Sequence, residues 1–274
     1  MSSLPLILGH RGASAVAPEN TLVAFSRAIQ DGADGIEFDV RLARDEVPVV
    51  IHDATLKRTG LVDDVVGELT SAKLQTVDVG SWFGKTLPAG SLPRSLTPLA
   101  DVSYAGEKLP TLGQVFELFK SRRGVLYLEM KCSAREGGAL AAAVVKSILE
   151  FEMADRVVVE SFDLSAITQI KRNDACLRTA ALFEPKLSRP LSIVRRLRMI
   201  DLARRHAADE IALHHTLASA GVIEKAKQQG LEVVVWTVDD PEWISRARSL
   251  GVKALIANDP APLVRYRDGS EFNS

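Results

Sequence analysis

Glu37 and Asp39 stand two residues apart in the run Gly35-Ile36-Glu37-Phe38-Asp39-Val40, which reads as a strand. On a strand that spacing puts both side chains on one face. Two carboxylates side by side repel strongly unless a cation or a proton lies between them. Glu129 adds a third acidic group at the end of another strand-like run, Val125–Met130. Three carboxylates converging on one point suit a hard cation, Mg²⁺ or Ca²⁺, rather than zinc. The competing reading for Glu129 is an ion pair with Lys131, which shares its face. His10 and His52 also close strand-like runs, and imidazoles move protons near neutral pH. Arg11 and Lys131 bring the positive charge that suits an anionic phosphate.

Groups this far apart in the chain need a scaffold, and the rhythm of the sequence predicts one. Strand-like runs recur at Leu6–Leu8, Gly35–Val40, Val47–Ile51, Val125–Met130, Arg156–Glu160, Thr179–Phe183, Glu210–Leu213, Glu232–Trp236 and Lys253–Ala257. Amphipathic stretches with start signals lie between most of them. Asn20 is expected to cap a helix carrying Leu22, Phe25 and Ile29. Thr111 is expected to cap Leu112–Ser121, and Asp163 to cap Leu164–Arg172. Asp240-Pro241 reads as a cap followed by a first-turn proline, opening a helix that stops at Gly251. Such alternation implies a parallel sheet with helices outside.

Nine strands are one too many for an eight-stranded barrel. At most six residues, Arg41–Glu46 with Arg44-Asp45-Glu46 as the turn, separate the second and third runs, whereas a parallel crossover needs a dozen or more residues. Those two runs must form an antiparallel hairpin. Setting Val47–Ile51 aside leaves eight parallel strands, the number of a (β/α)₈ TIM barrel. An open doubly wound sheet is the structural rival. If Asp45-Glu46 is a two-residue turn, Arg44 pairs with Val47 and His52 falls opposite Asp39. One more loop residue would shift that register. In barrel enzymes catalytic groups gather at the C-terminal ends of strands, where His10, Glu37, Asp39, His52 and Glu129 stand. From Ala54 to about Pro110 the rhythm lapses, which reads as a small insertion of about residues 54–110 in a single barrel domain of 274 residues.

The composition narrows the partners. A formal net charge of −1 argues against nucleic acid, and the 46% hydrophobic share is that of an ordinary globular chain. Cys132 and Cys176 are far apart and have no metal-ligand spacing, so a reducing, cytoplasmic setting is expected. No apolar run approaches the roughly 18 residues of a membrane span, and the N-terminus lacks a signal pattern. Stable membrane insertion is therefore not expected, and the oligomeric state is open. His214-His215 and the arginines at 195, 196, 198, 204 and 205 read as packing and solvated surface.

The ordered motifs resemble the glycerophosphodiester phosphodiesterase family. The match comprises His10-Arg11-Gly12 with Pro18-Glu19-Asn20-Thr21, Glu37-x-Asp39-Val40 and His52-Asp53 with Leu56-x-Arg58-Thr59. It continues through Gly67–Leu74, Gly80-Ser81-Trp82-Phe83, Pro110-Thr111-Leu112, Leu128-Glu129-Met130-Lys131, Ser161-Phe162, Val235-Trp236-Thr237-Val238 and Ala257-Asn258-Asp259-Pro260. The resemblance implies a phosphodiesterase barrel with a small insertion, which turns glycerophosphodiesters into sn-glycerol 3-phosphate and an alcohol. It implies Glu37, Asp39 and Glu129 as ligands of a divalent cation, Mg²⁺ or Ca²⁺. His10 and His52 become the general acid/base pair, Arg11 and Lys131 the phosphate contacts, and Phe162 and Trp236 the lining of the alcohol pocket.

Two departures stand out. The family's usual Asp-Gly hairpin turn is Asp45-Glu46 here, and Lys85–Lys108 is longer than the corresponding family stretch. Two rival functions share parts of the pattern. One is phospholipase D-like cleavage of lysolipids or sphingolipids, and the other is a non-catalytic barrel that binds phosphate esters.

Overall fold

The computed structural model describes residues 4–84, 103–133, 135–185 and 198–269. The chain opens with β1 (Leu6–His10), α1 (Leu22–Gln30), β2 (Gly35–Leu42) and β3 (Pro48–Val50). A short α2 (Ser71–Leu74) and α3 (Leu112–Lys120) follow. Then come β4 (Val125–Met130), α4 (Gly137–Glu150), β5 (Val157–Ser161), α5 (Leu164–Asn173), β6 (Arg178–Phe183) and α6 (Met199–Arg205). The chain continues through β7 (Glu210–His214), α7 (Ala220–Gln228), β8 (Glu232–Trp236), α8 (Trp243–Leu250), β9 (Ala254–Ala257) and α9 (Pro260–Arg267).

Eight strands pair in parallel in the order β1, β2, β4, β5, β6, β7, β8, β9, and β9 returns to β1. Closure excludes the open doubly wound sheet. β3 runs antiparallel to β2, the arm that the short connection required. Its register differs from expectation by one residue. Val40 faces Val50, and the Ile51 N–H donates to the Asp39 carbonyl at 3.0 Å, so Ile51 occupies the place predicted for His52. The loop holds Arg44, Asp45 and Glu46, closed where the Ala43 N–H donates to the Val47 carbonyl at 3.0 Å. A two-residue type I′ turn needs positive φ at both central positions, and here only Glu46 has it, at 60°. Asp45 instead turns outward, its carboxylate accepting from the Ser71 N–H and hydroxyl at 2.9 Å each.

Local signals account for most helix ends. Thr111 and Gln114 form a reciprocal capping box on α3. Asp163 caps α5, and Gly251 ends α8 in the left-handed conformation at φ 67°. Two caps differ from expectation. Thr21, not Asn20, caps α1 by accepting from the Ala24 N–H at 3.2 Å. Asn20 sits at φ 59° with its amide committed elsewhere. Asp240 accepts from the Glu242 N–H at 2.9 Å in a turn ahead of α8, so Pro241 precedes the helix.

Helix-facing residues of the strands pack into two large clusters, while Leu8, Tyr127, Val158, Ala180, Leu182, Ala212, Val234, Ala254 and Ile256 fill the barrel interior. Side chains alternate along a strand, so each interior row, extended by two residues, points its last member at the C-terminal mouth. The row from Leu8 reaches His10, that from Tyr127 reaches Glu129 and Lys131, and that from Val158 reaches Glu160 and Phe162. The rows from Val234 and Ile256 reach Trp236 and Asn258. At the other end of the barrel, Glu210 accepts from the Tyr127 hydroxyl and the Lys253 ammonium, each at 2.7 Å. Close packing demands glycine at position 35, where a Cβ would lie 2.0 Å from the Val125 carbonyl oxygen.

Between β3 and α3, Leu56, Val66, Leu74, Val79 and Leu109 pack with Val49 and Ile51 into a small core of their own. Residues 85–102, which include most of the longer family-divergent stretch, lie outside the described residues, as do Arg195 and Arg196.

Candidate active site

Glu37 and Asp39 on β2 and Glu129 on β4 converge as expected. One carboxylate oxygen from each lies within 4.8 Å of the others, and all three residues are buried. Asp39 and Glu129 share a register position on neighbouring strands, which brings them together. Asn20 orients Asp39 from both sides: its amide donates to Oδ2 at 2.8 Å and its carbonyl accepts from the Asp39 N–H at 3.1 Å. Arg11 Nε lies 3.1 Å from Asp39 Oδ2, and Arg11 Nη1 donates to Glu19 at 2.9 Å. Glu19 is held in turn by Arg58 at 2.7 and 2.8 Å. Lys131 Nζ lies 2.7 Å from Glu129 and 3.2 Å from Asp39. The Glu129–Lys131 ion pair weighed as the alternative reading is therefore present, inside the triad rather than instead of it.

The triad's charge is not fully balanced. Burial, with the charges of Asp39 and Glu129, pushes the Glu37 carboxyl well above the usual carboxylate range. Burial and Asp39 raise Glu129 to about 7. Asp39 is held well below the usual range because Lys131 and Arg11 outweigh its burial. Asp39 Oδ1 is buried and makes no directed hydrogen bond, with the Lys131 ammonium 3.2 Å away. An all-oxygen donor set whose mutual repulsion Lys131 and Arg11 only partly relieve fits a hard divalent cation.

The two histidines have different supports. His10 Nδ1 lies 2.7 Å from Asn258 Oδ1. Asp239, an acceptor only, takes the Asn258 Nδ2–H at 2.8 Å and the Asn258 backbone N–H at 2.7 Å. The Asn258 carbonyl oxygen must therefore face His10, so Nδ1 carries the proton and Nε2 presents its lone pair, 3.8 Å from Glu37. His52 Nδ1 donates to Asp53 at 2.6 Å, and Arg58 Nε donates to the other oxygen of Asp53 at 2.7 Å. Burial together with the Arg11 charge lowers His10 to about 4. Burial also lowers His52, against the opposing pull of Asp39 and Asp53.

These groups surround one cavity of about 390 Å³ at the C-terminal mouth. His10, Arg11, Glu37, His52, Glu129 and Lys131 form one side, and Phe162, Leu182, Trp236 and Ile256 form an apolar wall. Phe162 and Trp236 meet edge to face at 5.5 Å.

The sequence model of the glycerophosphoryl diester phosphodiesterase family matches residues 10–261. The chain belongs to this family. A glycerophosphodiester phosphodiesterase from Caldanaerobacter subterraneus subsp. tengcongensis is 30% identical over 94% of this chain and 96% of its own length. A putative glycerophosphodiester phosphodiesterase of Bacillus subtilis is 29% identical over 97% of this chain and 99% of its own. The crystal structure of a putative glycerophosphoryl diester phosphodiesterase from Silicibacter pomeroyi superposes with a TM-score of 0.83 at 26% identity, covering 99% and 95% of the two chains. The same barrel recurs, with a TM-score of 0.78 and 24% identity, in an Oleispira antarctica phosphodiesterase solved with sn-glycerol-3-phosphate, covering 97% of each chain.

As a member of the family, the chain is a phosphodiesterase on a TIM barrel. No helix among its described residues is long and apolar enough to cross a membrane. Eight of the nine residues singled out from sequence line this one cavity, and Asp39 joins Glu37 and Glu129 beside it. Several that matter were missed. Asn258 lay in a quoted motif at the end of the last strand, so the strand-end rule that found His10 would have found it too. Glu19 and Arg58 also lay in quoted motifs, but only folding brings them together across 39 residues. Asp239 had no signal beyond following a strand.

Proposed function

We propose that the chain hydrolyses glycerophosphodiesters to sn-glycerol 3-phosphate and an alcohol, with His10 as general base and His52 as general acid. The observation that carries this reading is the pair of imidazoles with locked tautomers flanking a buried carboxylate triad in one cavity. The names of its full-length relatives support the substrate class. A Mg²⁺ or Ca²⁺ ion held by Glu37, Asp39 and Glu129 would act as a Lewis acid that neutralises charge on the phosphate.

The chain's own residues do the rest. Arg11 and Lys131 sit beside the triad and offer N–H donors to the phosphate oxygens. Nε2 of His10 is unprotonated at neutral pH and takes the proton of the attacking hydroxyl, the substrate's own or that of water. His52 is backed by the carboxylate of Asp53, which stabilises an imidazolium, whereas His10 is backed by a neutral amide. Burial lowers both rings, but only His52 has a carboxylate hydrogen-bonded to it to offset that loss, so His52 is assigned the second proton and delivers it to the departing alcohol. Phe162 and Trp236 hold the carbon skeleton against the apolar wall. The segment of about residues 54–110 is read as a small insertion within the same barrel domain. Two free cysteines support a reducing, cytoplasmic setting.

The test is release of glycerol 3-phosphate from glycerophosphocholine and glycerophosphoethanolamine by EDTA-stripped protein, with Mg²⁺ or Ca²⁺ then added back. Metal-restored release is expected, and His10→Ala or His52→Ala should abolish turnover while metal affinity stays nearly intact. Full activity in either variant would remove that histidine from the mechanism. Release of choline from lysophosphatidylcholine or sphingomyelin, with no glycerol 3-phosphate from either glycerophosphodiester, would favour a phospholipase D-like reaction instead.

A further inference from the structure

One ionisable group of the cavity has no task in that mechanism. Glu160 is 1% exposed, stands opposite Glu129 in the β4–β5 register and lines the cavity, yet lies outside the carboxylate triad. Its Oε2 is buried with no hydrogen-bond partner. Native folds rarely leave such an oxygen unpaired, because its desolvation goes uncompensated. Neither cation of the cavity pairs with Glu160: Lys131 pairs with Glu129 and Asp39, and Arg11 with Glu19 and Asp39. On the apolar wall there is a second orphan of opposite kind, the buried Nε1–H of Trp236. A ligand that completes this cavity has an anionic phosphate for the cationic side, then a short carbon skeleton for Phe162 and Leu182. It also carries hydroxyls, which donate to one orphan and accept from the other.

We propose that Glu160 binds a hydroxyl of the substrate's glycerol moiety and makes the cavity selective for polyol phosphates over plain alkyl phosphates. Trp236 Nε1 donates to a second hydroxyl oxygen. The assignment rests on the reading that the cavity accepts glycerophosphodiesters, and it names the residue that recognises the glycerol. A hydroxyl-binding acceptor discriminates strongly, because a ligand lacking the hydroxyl leaves the buried oxygen unpaired.

Binding tests this without requiring turnover. Titration calorimetry in Mg²⁺ would compare sn-glycerol 3-phosphate with n-propyl phosphate, which has the same chain length and no free hydroxyl. Glu160→Leu is expected to weaken glycerol 3-phosphate by roughly ten- to a hundredfold while n-propyl phosphate binds as before or better. Glu160→Gln keeps an acceptor and should retain most of the preference. Glu160→Ala provides a second apolar variant, so a packing fault in one does not decide the outcome. Both apolar variants remove a carboxyl from among like charges and are expected to fold. Equal loss for the two phosphates, or no loss for either, overturns the assignment. Wild-type protein that binds neither phosphate overturns both this inference and the functional reading beneath it. Normal glycerol 3-phosphate release with an unselective Glu160 overturns the inference alone.

Discussion

Asp239→Asn tests the general-base assignment without touching either histidine. Asp239 Oδ1 accepts two backbone N–H groups, from Asn258 at 2.7 Å and Asp259 at 3.1 Å, so an amide at this position keeps its carbonyl oxygen there. Its NH₂ then faces the Asn258 Nδ2, which now donates to Asp239 Oδ2 at 2.8 Å. Two donors cannot pair, and Asn258 relieves the conflict by rotating its amide. That rotation aims an N–H at His10 Nδ1, which must become the acceptor, and the ring proton moves to Nε2. A protonated Nε2 cannot serve as base, so kcat should fall by about 10²–10⁴, the usual worth of general acid–base catalysis. Metal affinity should be unchanged, because no triad ligand moves. The double variant Asp239→Asn with Asn258→Asp exchanges carboxylate and amide and restores every bond: the new carboxylate accepts from His10 Nδ1 and from the new amide. Activity should return to within about tenfold of wild type. Steady-state release of glycerol 3-phosphate gives kcat, and ¹⁵N shifts of the imidazoles report the tautomer directly. An Asp239→Asn variant with wild-type kcat and an unchanged His10 tautomer would refute the reasoning. So would a double variant no better than the single one.

Three further outcomes follow from the same geometry. Divalent-metal affinity should rise with pH from 5.5 through 7 and beyond, because the raised Glu37 and Glu129 carboxyls must lose their protons to bind; isothermal titration at pH 5.5 to 8.5 checks this. An affinity that does not change over that range would count against Glu129 as a ligand. Asn20→Ala removes both hydrogen bonds that orient Asp39 and should cost roughly 10- to 100-fold in metal affinity, with the fold intact by circular dichroism. Glu46→Gly relieves a left-handed residue in the β2–β3 loop and should stabilise by about 1 kcal/mol in urea unfolding, with kcat unchanged.

Short-range information was read well because its physics is local. The Glu37-x-Asp39 spacing puts two carboxylates on one face of any strand, and Arg44-Asp45-Glu46 is too short for a parallel crossover. Thr111, Asp163 and Gly251 act at their helix ends through backbone atoms a few residues away. The errors came where one local choice competes with another. Asn20 has a good capping side chain, but that side chain is drawn off by Asp39, 19 residues away. Asp45 could have opened a two-residue turn, but Ser71 holds its carboxylate and the hairpin takes a third loop residue.

From sequence alone came the scaffold and the roster: eight parallel strands with a returning arm, three carboxylates, two imidazoles and two cations at strand ends. Periodicity and chain length suffice for these, since each depends on spacing within one element. Tertiary structure alone decided how those groups are tuned. The proton position on His10 depends on Asp239 and Asn258, which reach it only when β9 closes on β1. The unpaired oxygen of Glu160 depends on which donors the rest of the barrel has already engaged. Tautomers, orphaned polar atoms and shifted ionisations are sums over neighbours from many elements, and no single stretch of chain contains that sum.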